Sequence, residues 1–340
     1  MRMIASLLFA AIAASQPKPV PLQAFYADLR VEAAHSFKGM TVYPLTTRKP
    51  RPLGSTLALD DALKRGDLKV TEMGDAEVNA LQLQNTGKQY VFAMGGEIVQ
   101  GAKQDRTFQN DLLIPPLSGT MKVAVFCTEH GRWTEQTNRF GASDMAVPNS
   151  VRGVAKAEAN QGRVWDSIAQ NQQKLRVAAP SGASKDVYSA PKVKEDMQPY
   201  LKALEGLPAW HAGTVGVAAT FGRKVVAIDA FGDPELFRKM YPKLLRSYLA
   251  DVLGEAWQGE SKASDIQGAL TGAAKDNWTA GRTDGVGEAW KLQAGGLHGT
   301  ALTFKGAVLH ADMFVPPPAQ TYREPVQNVA PNLDIRRQQR

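Results

Sequence analysis

The chain has 340 residues, 44% hydrophobic and 21% charged, which excludes a disordered polymer and a collagen-like one. A single cysteine excludes a disulfide framework and any site built from several cysteines. The formal net charge of +7 is modest for this length and forms no basic stripe interleaved with aromatics, so nucleic-acid binding is not expected.

At the N-terminus, Arg2 precedes an apolar run from Met3 to Ala14 that closes on Ala11, Ala13, Ala14 and Ser15. This is the pattern of a secretory signal peptide, and the run is shorter than the ~20 residues a membrane-spanning helix needs. No later stretch is apolar for long enough to span a bilayer. Residues 1–15 are therefore expected to be removed and the mature chain to be secreted or periplasmic. A Pro-rich leader, 16–22, is expected to be solvated and to precede a single domain over 23–315. A Pro-rich, basic tail, 316–340, is expected to be disordered.

Within that domain, residues 41–133 read as β-rich. Thr41, Val42 and Tyr43 form a short strand, and Asp60–Gly66 a short helix with Ala62 and Leu63 inward. Val78–Gln84 and Tyr90–Met94, separated by an Asn85-Thr-Gly turn, read as a hairpin. Leu112–Ile114 and Met121–Cys127 are the next strands, and the spacing suggests a sandwich-like sheet. From 134 to 315 the pattern is mixed. Residues 155–177 carry Val164, Trp165, Ile168 and Leu175 on a helical face, while 181–196 read as a loop. The strongest helix begins at Asp233 and Pro234, stops at Gly254, and lines up Leu236 through Val252 on one face, with Pro242 inside it. Two tight hairpins, 214–231 and 300–314, repeat one grammar on either side of that helix. The fold class is thus α+β, with a sandwich-like first half and β-hairpins covered by an amphipathic helix in the second.

Two segments concentrate polar chemistry. GGEIVQGAKQDR, residues 95–106, combines three glycines with Glu97, Gln104, Asp105 and Arg106. CTEHGRW, residues 127–133, ends a strand whose alternation puts Cys127 and Glu129 on the side of Val123 and Val125, with Thr128 and His130 opposite. An inward carboxylate needs a partner, and Arg106 or Arg132 would serve Glu97 or Glu129. No P-loop, dinucleotide fingerprint, zinc-protease or nucleophile-elbow motif occurs, and no metal or cofactor is expected.

These two blocks, the Gln161–Trp165 stretch and the Phe237–Leu249 helix make the chain similar to one known family. It resembles the ADP-ribosylglycohydrolase- and rhodanese-phosphatase-associated protein domain family from Thr41 to Leu253, with a weaker echo to Phe314. The resemblance implies membership more than mechanism, because the family's name records gene neighbourhood. It marks Glu97, Gln104, Arg106, Cys127, Glu129, Arg132, Trp133, Gln161 and Trp165 as the positions to follow. Asp105 stands where the resemblance leads one to expect Asn, adding a negative charge beside Arg106.

The leading expectation is a pocket that binds a small polar or anionic molecule, lined by Gln104, Arg106, Arg132, Trp133, Gln161 and Trp165. Two alternatives stand beside it. One is a hydrolase with Glu97 or Glu129 as general acid or base and Cys127 as a possible nucleophile. The other is a structural envelope protein whose polar cluster rigidifies the fold. Nothing in the sequence indicates an oligomeric state.

Overall fold

The computed structural model describes residues 20–73, 78–131, 137, 139–294 and 296–315. In chain order the elements begin with α1 (Val20–Asp28), β1 (Arg30–Val31), β2 (His35–Phe37), β3 (Met40–Thr46), β4 (Leu57–Ala58) and α2 (Leu59–Arg65). There follow β5 (Leu68–Glu72), β6 (Ala80–Asn85), β7 (Val91–Ala93), β8 (Glu97–Gly101), β9 (Arg106–Phe108), β10 (Leu112–Ile114), β11 (Met121–Cys127) and β12 (Phe140–Ala146). The helices α3 (Asn149–Glu158), α4 (Gln161–Lys174), α5 (Lys185–Ser189) and α6 (Pro191–Leu204) come next. The chain closes with β13 (Thr214–Phe221), β14 (Lys224–Phe231), α7 (Pro234–Val252), α8 (Ala263–Lys275), β15 (Thr279–Ala280), β16 (Glu288–Ala294), β17 (Leu297–Phe304) and β18 (Ala307–Phe314). The fold is α+β.

Three sheets organise these strands. The largest has the order β1-β3-β13-β14-β18-β17-β16-β15, with β2 paired to β3. The second is β10-β7-β4 and the third β12-β8-β9-β11-β6-β5. The two expected hairpins are present as β13–β14 and β17–β18, and they pair with each other through β14 and β18.

The short second sheet is buried on both faces, which is why its strands read as unbroken apolar runs. Val91, Ala93, Leu112 and Ile114 point into a core shared with the third sheet and α2. Phe92, Met94 and Leu113 point the other way, into a core shared with α6, α7 and the large sheet. On the far side of the large sheet, Leu22 and Tyr26 of α1 pack with Ile266 and Leu270 of α8. Both pairs are four residues apart and so share a helix face. The outer face of the third sheet, through Ile98 and Phe126, is covered by α3 and α4.

Several local expectations change in the folded chain. The 78–84 and 90–94 segments do not pair, because β6 joins β5 and β11 while β7 joins β10 and β4. The turn between them hands the chain from one sheet to another. Asn85 secures the transfer by donating from Nδ2 to the carbonyls of Gln89 (2.8 Å) and Pro115 (2.9 Å). The β3 strand leaves the first half altogether and pairs with β13. Much of 181–196 is helical. Pro191 opens α6, and Val193, Met197, Tyr200, Leu201 and Leu204 give it a buried face. The expected leader is helical from Val20, with Leu22 fully buried. The helix at 234–252 forms as read, its Asp233 side chain accepting from the Glu235 N–H at 2.9 Å.

Candidate functional site

The two polar segments meet as neighbouring strands. Val99 pairs with Arg106, and Arg106 with Cys127, in one cross-strand row. Arg106 is wholly buried. Its Nη1 donates to the backbone carbonyl of Gln104 at 2.9 Å and to that residue's Oε1 at 3.3 Å. Its Nη2 reaches Glu72 Oε1 at 3.4 Å, and its Nε has no partner among the described residues. Gln161, the first residue of α4, clamps the end of β11. It accepts from the Cys127 N–H at 2.8 Å and donates to the Cys127 carbonyl at 3.0 Å, copying a strand neighbour with a side chain.

The Cys127 thiol is pushed up to about 11 by burial, against the pull of Arg106, so it stays protonated at neutral pH. Its hydrogen-bond partner is the Val78 carbonyl, which gives it no base. His130 turns to the α4 side, edge-on to Trp165 at 4.5 Å, while Glu129 is buried. Asp105 pairs with Lys185 at 2.7 Å. Gln104 approaches the His130 carbonyl at 3.5 Å. Arg132 and Trp133 lie outside the described residues.

Glu97 sits elsewhere. It is two residues to one side of the Val99–Arg106–Cys127 row, and Glu129 is two residues to the other side. Four steps along the strand direction amount to roughly 13 Å, beyond the separation at which paired carboxylates share glycosidic-type acid–base work. The arginine partner expected for Glu97 is replaced by Lys243 of α7, which also binds Asp60 of α2. Glu97 Oε2 accepts from the Met94 N–H at 2.6 Å. Burial raises the Glu97 carboxyl, Lys243 opposes that, and Asp60 adds to it.

The densest ionic constellation was not picked out from the sequence. Pairing of β14 with β18 sets Asp229 directly opposite Asp312, and Phe231 opposite His310. Arg152 and Lys156, four apart on α3, descend on this pair. Arg152 Nη2 donates to Asp229 at 2.7 Å and to Asp312 at 3.2 Å. Lys156 binds Asp312, Asp111 at 3.1 Å and the Thr300 hydroxyl at 3.1 Å. His310 bridges Asp111 (Nδ1, 2.7 Å) and Asp229 (Nε2, 3.0 Å), and the Tyr248 hydroxyl donates to Asp229.

Burial by itself would lower the His310 imidazole, but the Asp111 carboxylate and the bonds to Asp111 and Asp229 push it up to about 9. Against the same burial, Lys156 and His310 hold Asp111 far below the usual carboxylate range, and Arg152 and His310 do so for Asp229.

The glycine pair of GGE serves this cluster. A Cβ on Gly96 (φ 98°) would lie 2.4 Å from Arg152 Cγ, and one on Gly95 would lie 2.6 Å from Lys156 Cε. Only a chain without side chains passes so close to both cations. Gly95 also donates its N–H to Asp111 at 2.8 Å.

Asp229, His310 and Asp312 bring potential metal-ligand atoms within 4.8 Å of one another. The chemistry of the set argues against a metal. His310 is protonated with both nitrogens engaged, and Arg152 and Lys156 already neutralise the carboxylates. Three acids face three bases, so the cluster is neutral as built.

The signal for it was present but unread. The repeated hairpins carry Ile228-Asp-Ala-Phe231 and Ala311-Asp-Met-Phe314, an acid at the same place inside an apolar strand.

The fold and this network define an α+β domain of three sheets closed around a self-neutralising ionic core, a class set by architecture. Residues 28–314 match the family described as the ARG and Rhodanese-Phosphatase-superfamily-associated Protein domain, and the chain belongs to that family. The match reaches past the helix at 234–252 to take in the second hairpin. No curated protein and no solved structure matches the chain.

Proposed function

We propose that this chain is an exported binding protein for a small anionic molecule, with Arg106 as the anchor of its site. The observation that carries the reading is the state of the Arg106 guanidinium. It is buried, oriented by Gln104, left with an unpartnered Nε, and faced by one carboxylate at the long distance of 3.4 Å. A buried guanidinium that is fully used in structure makes shorter, bidentate contacts. Glu72 is the solvent-touching partner, its side chain 24% exposed, and an incoming carboxylate or phosphate would take its place. Gln161 holds the strand end beside the anchor. Arg132 and Trp133 follow it closely in sequence.

The hydrolase alternative draws no support from a thiol held protonated or from two glutamates at opposite ends of the strip. A structural role is better supported for the Asp229–Asp312 network than for Arg106: Arg152 also has an unpartnered Nε, but its Nη2 binds both aspartates and every carboxylate oxygen there is satisfied.

Titration with phosphate and with succinate at constant ionic strength, followed by calorimetry and melting temperature, tests the anchor. Wild type should bind one of them saturably, E72Q should bind it more tightly, and folded R106M should not bind. A response in both wild type and E72Q no larger than that to chloride removes the proposal. The export component rests on Arg2 and the apolar run to Ala14. N-terminal sequencing of the chain recovered from its native host should begin after Ser15, and a chain still carrying Met1 would refute export.

A further inference from the structure

A groove of about 340 Å³ runs between α3, α4 and the end of α7. One face of α4 lines it with Arg163, Asp166, Ser167, Gln170, Asn171 and Lys174, spaced three and four apart. Opposite stand Ser150 at the start of α3 and Asp251 at the end of α7.

Asp251 is held by neutral donors. Ser150 gives it an N–H at 2.6 Å and a hydroxyl at 2.7 Å, and Asn171 Nδ2 lies at 3.4 Å. Among the described residues no Lys or Arg side chain is within ion-pair distance of this carboxylate. Lys174 instead donates to the Asp251 backbone carbonyl and reaches Glu255 at 3.4 Å.

Asn171 supplies an independent observation. It is 4% exposed, and its amide orientation is set by Nδ2 donating to the Ala250 carbonyl at 2.8 Å. That leaves Oδ1, a buried acceptor, with no partner. A buried acceptor without a donor costs about 1–3 kcal/mol, so the fold carries a standing demand for one. A buried carboxylate with no ion-pair partner, its charge offset only at longer range by Lys174, beside an unfilled acceptor calls for a ligand that brings N–H donors and positive charge together.

We infer that this groove is a second binding site, one that takes a small organic ammonium ion between Asp251 and Asn171 Oδ1, with the rest of the ligand along the polar face of α4.

The probe is 1,4-diaminobutane, compared by calorimetry with its uncharged isostere 1,4-butanediol, on the full mature chain at pH 7.5 and constant ionic strength. The diamine should bind saturably and the diol should not. N171L should weaken the diamine by about tenfold or more, the worth of one buried hydrogen bond. S167K places a tethered ammonium in the groove and should abolish binding, which keeps the test decisive should N171L fail to fold. R106M should bind the diamine like wild type, separating this site from the anion site. No saturable heat up to about 10 mM diamine, equal binding of diol and diamine, or unchanged affinity in S167K would each overturn the inference.

Discussion

His310 lies fully buried between Asp111 and Asp229, stacked on Phe231 at 4.3 Å, and its imidazole is pushed up to about 9. In the unfolded chain it would titrate near 6.5. A group raised on folding contributes stability in full below its unfolded value and loses it as pH rises through the folded one. The contribution is at most about 3 kcal/mol and should disappear between roughly pH 6.5 and 9. Melting temperature measured across that window should fall for wild type and fall distinctly less for H310Q. Equal slopes would mean that the imidazole is not the titrating group. At this scale the sequence was partly readable. His130 turns to the α4 side, as alternation from Cys127 leads one to expect. Partner identity was not readable, since Glu97 pairs with Lys243, 146 residues away, and separation along the chain carries no trace of that.

Helices and hairpins announced themselves where local chemistry decides. The α7 helix has its cap at Asp233, its proline at the first turn and an apolar face, and each is determined by residues within one or two turns. The β13–β14 and β17–β18 hairpins have turns short enough to force pairing. The error at Asn85–Thr–Gly has the opposite cause. The turn was read correctly as a turn, but Asn85 bonds to Pro115, 30 residues on, and directs β7 into another sheet. The α6 helix was missed because its apolar residues are diluted by charged ones, and its buried face becomes visible only against α7 and β2. Among the described residues no helix is long and apolar enough to cross a membrane, which accords with the sequence reading.

Across the whole molecule, the ionic network ties segments from Gly95 to Asp312. It joins Gly95 and Asp111, α3, α7 through Tyr248, and strands β14, β17 and β18. The β3 strand of the first half is also inserted between β1 and β13. Neither half can be withdrawn without leaving buried charges unpaired, which costs about 3–5 kcal/mol per broken pair. Thermal or urea unfolding should therefore be one transition, with far-UV dichroism and tryptophan fluorescence superimposing. Two separated transitions would show that the halves are held independently.

The amino-acid order alone determined the α+β class, the family, the strongest helix and two hairpins. All of these follow from local periodicity, capping and turn chemistry, or from short blocks of residues. Tertiary structure decided which strands became neighbours, what the two glycines of GGE make room for, and that Asp229 meets Asp312 under Arg152 and Lys156. Those outcomes depend on contacts between distant residues, 77 and 160 positions for Arg152 with Asp229 and Asp312, where burial forces charges to find one another and no local pattern records the choice.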